Sequence, residues 1–551
     1  MLIKNKIKQF VFTFLARLGL KLGVSPVIIV KYFRRETIIA QLNFLFFNKK
    51  FPVIEKTKKP LDIIFLSYLG AFQGNNIIQV TIAKVLKERG HRIRFVLCDV
   101  ELPICETTDI SNHHRRSDAC AERYNHLKLF FKNTDFEVIW LTDLISKNEI
   151  AKLKKKIQDS NKWNTYVQSM LLRYFKVGIL DETHELVNEL RNRAKHAALL
   201  SEELGNRIAD LKPDRVFFSH GTYTTRGPAK DVMNARNIPL VSISRAKMAE
   251  SQKFNWKTSG DWWDVDNEWE NIKNESLESV QRELISTYLL SRRNHDKDII
   301  VYNFSPEEGR KETLVKLNLD SNKKTYTLFT NVLWDAASAQ RELVFNNPID
   351  WTIETINWFR YNPEKQLIIR IHPAEAIIGT NQPMEKIIMD RVDDIPENVT
   401  VVSPKDSVNS WSLLKVTDVG LVHTSTVGLE LALEGIPCVC VAKTHYRGKG
   451  FTIDTNNKSE YFRFLKGEKL INFDPNFIKE LSLKYAYILF MKYQFPMPFY
   501  NPESHISINS FKSNNWDKIA DHISIKQIIR STENMTQYIL EDEDVFKVHQ
   551  L

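Results

Sequence analysis

Two stretches, Leu367–Glu375 (LIIRIHPAE) and Thr417–Val441 (TDVGLVHTSTVGLELALEGIPCVCV), constrain the fold of this chain more than any others. Leu367–Ile371 is a short apolar run rich in β-branched residues, the pattern of a strand buried on both faces. Pro373 stops it, and Arg370 and His372 stand where strand becomes loop. The second stretch reads as a strand at Asp418–Val422, a polar turn at His423-Thr424-Ser425-Thr426, and a helix at Val427–Leu433. Gly435 then caps the helix, Pro437 restarts the chain, and a further strand follows at Cys438–Val441. Strand, turn, helix and strand in this order build a parallel α/β sheet.

A Ser/Thr turn at a helix N-terminus offers hydroxyls, free backbone N–H groups and the positive end of the helix dipole, a suitable place for a phosphate. Taken alone, Thr424 to Thr426 read equally well as a helix cap. Arg370 and His372, at the end of another strand of the same expected sheet, favour a phosphate site, because open α/β sheets bind ligands beyond the carboxyl ends of their strands. Glu430, four residues after Thr426, is placed to take ribose or sugar hydroxyls, as is Glu375 less directly.

The pattern R-x-H-P-A-E followed by H-T-S-T-x-G-L-E-x-A-L-E-G-I-P resembles the capsule polysaccharide biosynthesis glycosyltransferases, which include Kdo transferases. It is similar in outline to the HP-motif bacterial sialyltransferases, and more distantly to the teichoic-acid glycerophosphotransferases. The resemblance spans about Thr325–Thr452, with a weaker one over Leu61–Glu250. It implies an α/β, GT-B-like fold, with two Rossmann-like domains facing each other across a cleft. It also implies that His372 protonates or hydrogen-bonds a departing phosphate.

The chain has 551 residues, enough for two or three domains. Its total charge of +10 is local: residues 1–60 carry thirteen Lys or Arg against two Glu, +11, which leaves −1 for the other 491 residues. A near-neutral body argues against nucleic acid as a partner. The arm mixes Lys4, Lys6, Lys8, Arg17 and Lys21 with Phe10, Phe12, Phe14 and Leu15. Its apolar run is broken too early for a spanning helix, and no cleavage site for a signal peptide follows. Residues 1–35 therefore read as an amphipathic helix on the inner face of the cytoplasmic membrane, with a terminal helix packed on the protein as the alternative. The five cysteines, Cys98, Cys105, Cys120, Cys438 and Cys440, fit neither a zinc pattern nor a disulfide framework, which suits a cytoplasmic protein.

Four segments follow along the chain: the basic arm at 1–60; an N-terminal acceptor domain at 61–295; a C-terminal donor domain at 296–505; and C-terminal helices at 506–551 that cross back to the first domain. Leu61–Leu66, the loop Ser67–Asn76, a helix at Ile77–Arg89 and a strand at His91–Leu97 open the first domain. The loop lacks the full dinucleotide fingerprint. Residues 143–211 read as a helical insertion. Cys105–His126 is a polar segment read as surface. Asp214–Ser219 is a strand ending in His220-Gly221, followed by helix Ala229–Arg236 and strand Pro239–Ile243.

Glycosyl transfer must stabilise charge on the leaving phosphate, take a proton from the acceptor hydroxyl and hold the anomeric carbon between the two. The first task falls to Arg370, His372, Ser425 and Thr426, with Lys449 of a basic glycine loop in support. The base is left open among His220, Asp118 and His113. Asp264-Val265-Asp266 has the letters of a metal motif, but it lies in a Trp-rich segment rather than after a strand, so metal-independent chemistry without a cofactor is expected. The donor is a nucleotide sugar, and the acceptor a surface-glycan or lipid-linked chain. A CDP-activated phosphopolyol transferase, a non-catalytic scaffold of the glycan machinery and a sugar epimerase are the rival readings.

Overall fold

A computed structural model describes residues 51–67, 73–115, 120–121, 124–125, 127–128, 131–132, 134–155, 161–294, 305–335, 340–468, 473–504, 507–511 and 515–549. The basic arm at 1–35 and Asp118 lie outside these residues.

The first sheet is built from β1 (Asp62–Leu66), β2 (Arg92–Leu97), β3 (Glu137–Trp140), β4 (Arg215–Phe218), β5 (Leu240–Arg245) and β6 (Ser251–Trp256). The second holds β7 (Lys324–Phe329), β8 (Lys365–Arg370), β9 (Val399–Val402), β10 (Val419–Val422), β11 (Cys438–Cys440) and β12 (Ile453–Asp454). The short strand β13 (Phe495–Pro496) returns from the C-terminal region to pair antiparallel with β6 at the edge of the first sheet. The strand orders are β13-β6-β5-β4-β1-β2-β3 and β12-β11-β10-β7-β8-β9. In both sheets the chain runs outward from the domain's first strand, returns, and continues on the other side, the doubly wound order of a Rossmann-like domain. The second sheet is parallel throughout.

Strand parity explains the burial. In β1, Ile63 and Phe65 face one core while Ile64 and Leu66 face another. In β8, Ile368 turns to the first core, and Leu367 and Ile369 to the outer core of the second sheet. Both faces of each sheet are covered, as a parallel sheet requires. Three helices cover the first sheet's surroundings and matter below: α1 (Gln73–Glu88), α2 (Asn164–Phe175) and α3 (Glu185–Asp210). Four more are α4 (Gly227–Ala235), α5 (Ser279–Arg293), α6 (Pro348–Arg360) and α7 (Val427–Leu433). Then come α8 (Pro475–Ala486) and α9 (Ile523–Asn534).

The strands read from sequence at 61–66, 91–97, 214–219, 239–243, 367–371, 418–422 and 438–441 are found within two residues of those bounds. Strands of the two sheets without a counterpart in that reading include β3, β9, β12 and β13, each four residues or fewer and too short to show a period, and β6 (SQKFNW), which is polar in sequence although its first five residues are buried.

A single core joins the two domains through Tyr485–Phe499, which packs with strands of both sheets. The C-terminal end of the chain also meets the first domain. Glu533 accepts from Arg89 at 2.8 Å and lies 2.9 Å from the His91 ring, and Arg215 donates to the Thr532 carbonyl at 3.0 Å. Loops beyond the carboxyl ends of β4 and β5 meet loops beyond β7 and β8: His220 feels the charge of Asp335, and His372 that of Lys247. The two Rossmann-like domains thus face each other at their ligand-binding ends, the GT-B-like arrangement that the resemblance implies. Among the described residues, no helix is long and apolar enough to cross a membrane.

Candidate active site

In the second sheet the strand order reverses between β7 and β10, the place where doubly wound sheets leave a crevice. The two residues after β7 gather both sequence motifs there. The Thr330 hydroxyl accepts from the His372 backbone N–H at 2.9 Å. Asn331 donates through Nδ2 to the Thr424 hydroxyl at 2.9 Å and accepts the Thr424 N–H at 3.3 Å. The HP loop and the Ser/Thr turn are therefore pinned to one strand end lying between them.

The turn itself is held from below. Tyr446 donates to the Ser425 carbonyl at 2.6 Å, and its hydroxyl occupies the space that a side chain at Gly428 would need. Gly420 in β10 likewise leaves room for Leu431 of α7, which lets helix and strand approach closely. The Ser425 hydroxyl accepts from the Val427 N–H at 3.3 Å, while Thr426 makes no side-chain cap bond.

His372 Nδ1 accepts from the Ala374 N–H at 3.1 Å, which leaves the ring proton on Nε2. Burial, reinforced by the Lys247 and Arg370 charges, pushes its pKa down to about 4, so the ring is neutral near pH 7. Arg370 lies deeper than the sequence suggests. Strand parity sets it on the same face as Ile368; it is 2% exposed and donates to the Ser403 carbonyl at 2.6 Å. Nε and Nη2 have no hydrogen-bond partner among the described residues, and burial lowers the guanidinium pKa to about 10. It is a charge beneath the HP loop rather than a side chain on the cleft wall. Glu375 is buried too. One oxygen accepts from the Met384 N–H at 3.1 Å, the other has no partner among the described residues, and burial raises the carboxyl pKa to about 7.

Two residues assigned to ligand by sequence are held by ion pairs. Glu430 meets the Arg292 guanidinium of α5 at 2.9 Å, with both side chains about one-tenth exposed. Lys449 pairs with Asp266, across from one domain segment to another. A ligand reaching either must first displace its partner.

On the facing side, His220 has φ of +59° and holds the turn that follows β4, its carbonyl accepting from Ser259 Oγ at 2.6 Å and from the Gly260 N–H at 2.8 Å. Burial and the Arg226 charge lower its pKa, while Glu106, Asp261 and Asp335 pull the other way. Glu106 forms a buried ion pair with Arg226 and accepts from Thr225 at 2.7 Å. Burial alone would raise Glu106; Arg226 leads the interactions that outweigh it and hold the carboxyl low. Asp261 accepts from Thr222 at 2.7 Å and from Arg341 of the second domain at 2.6 Å, and Arg341 stacks 4.4 Å from the Trp262 ring. His113, the remaining candidate base in the described residues, lies 2.6 Å from the Tyr174 hydroxyl through Nδ1.

Several of these groups escaped the sequence reading. Glu106 sits in the segment read as surface. Lys247 and Lys253 follow β5 and lie in β6, yet they bear on His445, whose pKa burial and then Lys247 and Lys253 drive down. Lys253 is 3% exposed and donates to the Trp262 carbonyl at 2.6 Å. Lys247 bears on both His372 and His445, and Arg341 and Lys449 stand nearby in their ion pairs, so an anion in this part of the cleft would meet positive charge. The local signal was present in the strand-end positions of Lys247 and Asn331, but not the partners.

Among solved structures the chain is similar to two described as Thermosulfurimonas dismutans KpsC. Against the beta Kdo 2,4 transferase it shows 14% identity over 56% of this chain and 87% of that one, with a TM-score of 0.34. Against the beta Kdo 2,7 transferase the values are 12%, 61%, 89% and 0.32. UDP-GlcNAc 2-epimerase from Neisseria meningitidis gives 12%, 77%, 94% and 0.24, so all three likenesses are remote. No curated protein matches the chain. Residues 271–493, which contain both the HP loop and the Ser/Thr turn, match the family described as capsule polysaccharide biosynthesis protein. That match spans 223 of the 551 residues and is a likeness of this segment to the family.

Proposed function

We propose that the protein is a glycosyltransferase that moves a sugar from a nucleotide-activated donor to a capsule- or lipopolysaccharide-type glycan acceptor. The observation that carries this reading is the gathering of the HP loop and the Ser/Thr turn by Thr330 and Asn331 at the reversal of the second sheet. A nucleotide phosphate there meets the Ser425 and Thr426 hydroxyls, the N–H groups of the turn, the Nε2–H of His372 and the Lys247 charge from the opposite domain. Arg370 contributes its charge from beneath. His372, neutral at pH 7, acts first as a hydrogen-bond donor; an arriving phosphate dianion raises its basicity, so that it can carry a proton as the leaving group departs.

Across the cleft His220 is the base. Its lowered pKa keeps a ring nitrogen available near neutral pH. As the acceptor oxygen bonds to the anomeric carbon, its proton passes to His220, and the carbon–oxygen bond to the phosphate breaks with its electron pair going to the phosphate. Glu106 and Asp261 act on His220 through space, with Arg226 and Arg341 compensating their charge. Glu430 and Glu375 stand for donor hydroxyl contacts once Arg292 yields, and the chemistry runs without a metal. Residues 1–35 hold the enzyme at the inner membrane face, where lipid-linked acceptors reside.

A thermal-shift screen with CMP, CDP, UDP, GDP and their sugars, with and without Mg²⁺, tests the reading, because a ligand that binds only the native state raises its stability. Stabilisation by one nucleotide and its sugar, lost without change of fold in His372→Ala, is the expected result. No nucleotide response would bring the scaffold alternative forward. A phosphodiester rather than glycosidic product would replace the reading with the phosphopolyol transferase.

A further inference from the structure

Beside the His220 loop the domains enclose a cavity of about 1010 Å³, at the upper end of the range for ligand sites. One wall is the helical block. Asn164 and Gln168 stand one turn apart on α2, and Arg191 and Lys195 one turn apart on α3. The other wall follows β7 and presents Trp334 and Phe345.

The walls differ in chemistry. The carboxamides each donate and accept, which matches hydroxyl groups. Trp334 is 9% exposed, and its indole N–H has no hydrogen-bond partner among the described residues. Arg173 stacks over its ring at 4.9 Å, which holds the indole in place. Arg191 is committed to Glu182 at 2.7 Å, whereas no ion pair of Lys195 is found among the described residues. The lining also includes Asp335, Glu342 and the Gln340 carboxamide, which bonds Ser169 Oγ at 3.1 Å and the Thr222 carbonyl, in the His220 loop, at 3.4 Å. Lys195 thus brings a cation without an ion pair among the described residues, and Gln340 ties the cavity to the His220 loop.

We propose that this cavity, between the helical block and the segment after β7, binds an anionic oligosaccharide, the acceptor of the transfer proposed above. The chain lies with its reacting end at Gln340 and the His220 loop and an acidic group, carboxylate or phosphate, at Lys195. Its hydroxyls meet Asn164 and Gln168, and a ring packs on Trp334. The size fits several sugar units, and the polar wall does not suit a lipid tail. This assignment rests on the transferase reading for its role, but not for the binding itself.

The test uses the full chain and three probes, tetragalacturonate, pentamannose phosphate and maltotetraose, followed by calorimetry and by tryptophan fluorescence. At least one anionic probe is expected to bind tenfold or more tightly than maltotetraose, with affinity falling as salt is raised. Lys195→Gln, on a half-exposed helix position, should remove that tenfold preference while leaving the neutral probe unchanged. Gln168→Ala should weaken all three. A carboxylate or a phosphate preference identifies the acid, and either upholds the site. Absence of binding by both anionic probes overturns it, as does wild-type affinity in Lys195→Gln. Nucleotide stabilisation measured on the same samples separates the two ideas. Oligosaccharide binding without a nucleotide response removes the transferase reading alone, and the converse removes the cavity assignment alone.

Discussion

Asn331 holds Thr424 twice, donating to its hydroxyl at 2.9 Å and accepting its backbone N–H at 3.3 Å. The contact spans the crevice between β7 and β10, so it sets the distance between the HP loop and the Ser/Thr turn. Asn331→Ala removes both bonds and should lower stability by about 1–2 kcal/mol. Misplacement of the turn should lower kcat/KM by a further tenfold or more. Asn331→Asp keeps the N–H contact and reverses the other, with the Thr424 hydroxyl now donating, and should fall between. Denaturant unfolding beside nucleotide affinity checks this; unchanged nucleotide binding in the alanine variant would show the turn to be held by other means.

Gly428 and Tyr446 share one space, and the Tyr446 hydroxyl also supports the Ser425 carbonyl. Gly428→Ala should therefore destabilise by about 1–3 kcal/mol, the usual range for overpacking. Tyr446→Phe in the same chain removes the clashing oxygen and should recover part of the loss. A double-mutant cycle in unfolding measures the coupling; additive effects would rule out direct contact.

Acid should weaken the fold through His423. It is 1% exposed, neither ring nitrogen has a partner among the described residues, and burial lowers its pKa to about 4 from an ordinary 6.5. Between those values the unfolded chain binds the extra proton, so stability falls as pH drops from about 6.5 to 4. The loss for this one group is on the order of 3 kcal/mol. His423→Leu should flatten that part of the pH profile in urea titrations. An unchanged slope would mean that other groups carry the acid sensitivity.

Glu375 should act in the opposite direction. Burial raises its carboxyl pKa to about 7 from 4.5, so the folded state keeps a proton that the unfolded chain has lost. Stability then declines as pH rises from about 4.5 to 7. Glu375→Gln, which retains an acceptor for Met384, should remove this decline. The same urea titrations decide it, and the two variants should change the profile with opposite sign.

Asp261 and Arg341 link the domains at 2.6 Å with side chains 8% and 17% exposed. Removing one partner leaves a buried charge, so Asp261→Asn should cost about 3–5 kcal/mol. The Arg341 charge then stands uncompensated. Breakage at the domain junction should appear as a change in scattering radius as well as in unfolding; unfolding alone would make the pair a local support.

Much of the second sheet was legible because its strands are buried on both faces and its turns carry glycine and proline at the expected offsets. Val427–Leu433 and the turn before it were read to the residue. Arg370 was placed by its position at a strand end, but parity turned it inward with Ile368, and a two-residue period could be read only once the buried faces were known. Glu430 and Lys449 look free in sequence because their partners, Arg292 and Asp266, are more than a hundred residues away.

By itself the sequence determined that the chain makes parallel α/β sheets with an HP loop and a Ser/Thr turn at strand ends, because those signals are local: apolar runs, caps and breakers act within a few residues. Only the tertiary structure decided what meets what. Asn331 reaches Thr424 because β7 and β10 are neighbours, Lys247 approaches His372 because two sheets face each other, and Glu106 finds Arg226 inside the first domain. Charges separated along the chain interact only once folding has removed the water between them, and no pattern of neighbouring residues records that distance.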